Sequence, residues 1–123
     1  MTEPIAAGDL AEQAAEAIRG LNYATHSADG APSLEYPGDL YAVVGSLAVM
    51  AARLPQLLQQ TSGWLEHRVH GIEVHGGMFD GDPVAAVATA QAVLADAQTA
   101  ARALARHLQD TCNVLATLAA ADG

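Results

Sequence analysis

Apolar residues recur along this chain at alternating steps of three and four, the spacing that lines one face of an α-helix. The row Leu40, Val44, Leu47, Ala51, Leu54, Leu58, Thr61 and Leu65 is apolar at seven of eight positions. A neighbouring row of Val43, Leu47, Met50, Leu54, Leu57 and Trp64 widens that face, so the helix is expected to be contacted from more than one side. A longer row, from Val87 through Ala90, Leu94, Ala97, Ala101, Leu104, Leu108, Thr111 and Leu115 to Leu118, is apolar at nine of ten. Off that row, Arg102, Arg106, Gln109 and Asn113 supply a polar face. A shorter row near the start joins Leu10, Ala14, Ala17, Leu21 and Ala24.

Start and stop signals frame these rows. Asp9 with Glu12 resembles a capping box, Asp39 reads as the cap of the second helix, and Asp82 followed by Pro83 opens the third. The prediction is an all-α chain forming a single domain over 1–123. Its helices run over about 9–25, 39–70 and 83–120, with a tail at 1–8 and loops at 26–38 and 71–82. Pro55 lies inside the second helix, where it removes one backbone hydrogen bond and is expected to kink it. Gly45 reads as a point of close packing. The valines are scattered and make no alternating run of the kind strands need.

Unequal helix lengths carry the next inference. At 1.5 Å per residue the three helices measure about 24, 45 and 57 Å, so the first covers only half of the hairpin made by the other two. The open apolar face points to a three-helix bundle completed by self-association, a dimer being favoured. The leucines expected at that interface are Leu47, Leu54 and Leu58 on the second helix and Leu94, Leu104, Leu108 and Leu115 on the third.

Composition narrows the partners. Hydrophobic residues make up 51% of the chain but aromatics only 4%, which suits closely packed helices. The net charge is −9, and all five basic residues are arginine. Such a chain has no stripe for nucleic acid and is repelled by anionic membranes, while a basic protein surface would attract it. Its longest uncharged helical run is thirteen residues, against the roughly 20 that a bilayer span requires. The N-terminal stretch lacks the positive charge of a signal peptide, and a soluble, cytoplasmic protein is the expectation. The single cysteine, Cys112, falls in an apolar row and reads as a small core residue.

Candidate chemistry is confined to one stretch, "WLEHRVHGIEVHGG", which holds three of the five histidines. His67 and His70 would share a helix face and His75 returns after Gly71, a set able to take zinc or another divalent transition metal. The stretch contains neither H-E-x-x-H nor C-x-x-C, and histidines at a helix C-terminus also complement the helix dipole. The helix-end reading is the simpler one, with Ile72, Val74, Met78 and Phe79 tucking onto the bundle end or a partner chain. No phosphate-binding loop, nucleophile elbow or carboxylate pair is present, which argues against an enzyme. Tyr23, His26, Tyr36 and Tyr41 bracket the first loop, as wet surface tyrosines or as a small polar pocket.

The runs "AEAIRGLNYATHS" and "LEYPGDLYAVVGSLAVMAARLPQLLQQ" resemble small acidic helical proteins of actinobacterial genomes, some among plasmid or integrative-element genes. The resemblance covers roughly residues 9 to 65 and implies a bacterial cytoplasmic protein, with no activity to carry over. The chain departs from the secreted WXG-type hairpins, because Gly63 precedes Trp64 inside a helix. The sequence therefore predicts a non-enzymatic, self-associating interaction or adaptor protein. A histidine-based metal-binding or metal-sensing module is the alternative.

Overall fold

The computed structural model describes residues 5–26, 34–119 and 121. Three α-helices make up most of it: α1 (Ala7–Ala24), α2 (Pro37–Arg68) and α3 (Pro83–Leu115), with one 3-10 turn, Val69–Gly71, closing α2. Among the described residues there is no strand. The all-α bundle with a long helical hairpin is the architecture the periodicity predicts.

The helix ends shift by local chemistry. α1 begins at Ala7 because Leu10 N–H donates to the Ala6 carbonyl at 3.1 Å; Asp9 lies within its first turn and caps nothing, so the expected capping box with Glu12 does not form. α2 begins at Pro37, where the fixed proline φ suits a first helical position. Asp39 works in reverse of its expected role: its carboxylate accepts from the backbone N–H of Glu35 and of Tyr36, each at 2.9 Å. Asp82 caps α3 as expected, accepting from Ala85 N–H at 3.1 Å. α3 ends at Leu115, short of 120. There the backbone tightens to Thr117→Val114 and Leu118→Leu115 bonds, and the Thr117 hydroxyl also takes the Val114 carbonyl at 2.7 Å. Within α2 the helix continues through Pro55, so the proline does not break it.

α2 and α3 pack along their lengths as an antiparallel pair, with Ser62 opposite Gln91 near the connecting loop and Tyr41 and Gly45 beside Gln109 and Cys112 at the far end. The buried residues are small: Ala48 and Ala51 on α2, Val87, Ala101 and Cys112 on α3. Counting along the pair from Ser62 and Gln91 brings Ala51 level with Arg102, next to the buried Ala101, so the centre of the seam is built from alanine. The larger Leu54, Leu58, Leu94 and Leu108 flank it half-buried. Cys112 fills a core position, as its row implied. Gly45 is corrected: a Cβ built there meets nothing within 4 Å, so it is not a point of close approach.

α1 stands apart. None of its residues is buried, and none of its Cα atoms lies within 8 Å of one in α2 or α3. Its apolar side, Ala17, Ile18 and Leu21, faces Val43, Leu47 and Met50 across an open gap of about 430 Å³. The chain accordingly exposes 9215 Å². A compact protein of 12.6 kDa exposes about 6200 Å².

Candidate functional site: the outward face of α2

The histidine stretch resolves into a turn. Gly76, Gly77 and Gly81 take positive φ values of 84°, 76° and 73°. The Asp80 carboxylate accepts from Gly76 N–H at 2.8 Å, and Gly81 N–H donates to the Val74 carbonyl at 3.0 Å. Ile72, Val74 and Phe79 are half-buried, but Met78 is 90% exposed and does not tuck in. His67 sits on the last turn of α2 and His70 in the 3-10 turn, while His75 pairs with Glu73, Nε2 to Oε2 at 3.0 Å. All three histidines are exposed. Among the described residues, no three of the histidine, cysteine and acidic side chains are gathered closely enough to hold an ion. Tyr23 and Tyr36 are likewise exposed, and Tyr41 lines a different depression.

That depression lies on α2. It is a trough of about 780 Å³, lined by Gly45, Val49 and Arg53 among other residues of α2, by Ala14 of α1 and by Gln109 and Cys112 of α3. Beyond it toward the C-terminal end of α2, a second notch is formed by Gln60, Thr61, Trp64 and Leu65. Leu57 stands between the two. The side chains of Met50, Leu57 and Trp64 are 37%, 56% and 55% exposed, and the Arg68 guanidinium lies over the Trp64 ring, 5.0 Å from its centroid.

Of the leucines expected at an interface, Leu47, Leu54, Leu58, Leu94, Leu108 and Leu115 are half-buried within the single chain, and Leu104 is exposed. Leu57 and Trp64 of the second apolar row are the most exposed large residues of α2, followed by Val49 and Tyr41, which lie off both rows. α2 with its 3-10 turn is also, by length and composition alone, apolar enough to cross a membrane, with a mean hydropathy of 1.4 over its best window. The thirteen-residue limit read from the sequence falls short of this because Arg53 interrupts the uncharged run without ending the helix.

The fold is an all-α bundle with one long apolar helix partly uncovered. No family model matches the chain, and neither the curated proteins nor the solved structures compared with it include a match.

Proposed function

We propose that this protein is a non-enzymatic helical module that self-associates, a dimer being favoured, and acts in the cytoplasm as an adaptor for a basic protein partner. One observation carries the reading. The chain exposes about half as much again as a compact protein of its mass, and large apolar side chains account for part of the excess. A stable interface removes about 800 Å² from each partner. The excess of about 3000 Å² leaves ample area for one. Acidic residues concentrate elsewhere, at Asp9, Glu12 and Glu16 on α1 and at Asp96 and Asp110 on α3, and would remain outward to meet a basic partner.

Native mass spectrometry of the untagged full chain tests this. A metal-free dimer is expected. A monomer would overturn self-association, and a mass increment of one metal ion per chain would favour the histidine-based metal module instead. Flotation with neutral phosphatidylcholine vesicles provides the second arm: a chain that floats as a monomer would assign the apolar face of α2 to lipid.

A further inference from the structure

Met50, Leu57 and Trp64 follow one another at seven-residue intervals along α2. Two turns of helix separate each pair, so the three side chains form one row along the flank of α2, roughly 100–140° round the helix from Ala51. The row is symmetric in spacing about Leu57. Laid antiparallel on itself with Leu57 at the centre, it brings each Met50 opposite the partner's Trp64. This is the self-complementarity a two-fold contact demands.

Shape and charge agree with that arrangement. The trough lies on the Met50 side of Leu57 and the notch on the Trp64 side, so a large ring projecting from one copy meets a depression in the other. From Leu40 to Leu65 there is no acidic residue and one basic residue, Arg53. Within a chain of net charge −9, this is the face on which two copies meet without opposing carboxylates. The same register sets Arg53 opposite the partner's Thr61. The two Arg53 side chains stand about 12 Å apart along the helix axis, at 1.5 Å per residue. That exceeds the Debye length of about 8 Å at physiological salt. On α3 the exposed Val93 and Leu104 share one side, but Asp96 follows Val93 by three residues on that side, so two copies meeting there would bring carboxylates into the contact.

We propose that two copies of this chain join through α2, antiparallel about a two-fold axis at Leu57, with Trp64 of each copy seated in the trough beside Met50 of the other. This rests on the self-association proposed above and adds its face, direction and register.

Disulfide trapping in a Cys112→Ala background tests it, since two cysteines bridge only when their Cα atoms are within about 7 Å. Leu57→Cys, an exposed position that leaves the seam intact, is expected to give a covalent dimer under mild oxidation. Val93→Cys on α3 is expected to stay monomeric on denaturing gels. Met50→Cys and Trp64→Cys should link when mixed, and neither should link alone. A native dimer in which Leu57→Cys links no faster than Val93→Cys would overturn this arrangement and leave self-association standing. A chain that is monomeric in the native mass spectrum would overturn both.

Discussion

The side-chain amide of Gln91 on α3 donates to the Glu66 carboxylate on α2 across 2.7 Å, and its second N–H reaches the Ser62 carbonyl at 3.2 Å. This contact fixes how far one arm of the hairpin has slid along the other, a setting that a smooth alanine seam does not impose. Gln91→Ala is expected to lower stability by about 1 kcal/mol in urea unfolding at neutral pH. Gln91→Glu should lower it further, because a second carboxylate then opposes Glu66, and part of the deficit should return in acid. A Gln91→Glu protein as stable as the parent would refute this register role.

The alanine seam makes a sharper demand. Ala51 is wholly buried, and enlarging it forces the helices apart or bends side chains from their rotamers. Ala51→Leu should cost about 1–3 kcal/mol. The same change at Ala52, exposed one position on, should be nearly neutral. Equal thermal midpoints for the two variants would show that the helices do not meet at Ala51.

Glycines divide into two groups with opposite signs. Gly81→Ala forces a side chain into a left-handed backbone, φ 73°, and should destabilise by about 1–2 kcal/mol. Gly63 lies within α2 with nothing near a built Cβ. Gly63→Ala should stabilise by about 0.5–1 kcal/mol. Thermal melts of the two variants should move to opposite sides of the parent.

Two backbone N–H groups, first that of Tyr36 and then that of Glu35, hold the Asp39 carboxyl below its ordinary range. A group with a depressed folded-state value contributes its stabilisation above the ordinary carboxylate range and loses it as pH falls through the folded value. Asp39→Asn is therefore expected to lower the melting temperature at neutral pH, and to narrow its gap to the parent as both are acidified below about pH 4. A gap that widens in acid would contradict the assignment.

Much of this was legible in the residues. The two long rows gave α2 and α3 because an amphipathic stripe of thirty residues has few other ways to bury itself. Pro83 after Asp82 gave the start of α3 outright. Helix ends were less legible: Asp39 accepts backward from Glu35 and Tyr36, and the side chain alone does not tell a cap from a third-position acceptor. The expected interface leucines of α2, Leu47, Leu54 and Leu58, came from the stronger of its two rows and are half-buried within the chain. Met50, Leu57 and Trp64 belonged to the weaker row, which shares Leu47 and Leu54 with the stronger one, and only the packed helices show which of its members stay exposed. For His67, His70 and His75, spacing allowed a cluster, but among the described residues no three such ligands gather closely enough to hold an ion.

α1 has consequences for how the molecule comes apart. A helix of 18 residues with no buried side chain draws little from tertiary contact, and in isolation such a length is marginal in water. The hairpin of α2 and α3 and the helix beside it are therefore two layers of unequal permanence, held by different kinds of contact. With no buried side chain to hold it, α1 is the layer expected to open first, and the wall it lends to the trough at Ala14 would open with it while the alanine seam stays closed.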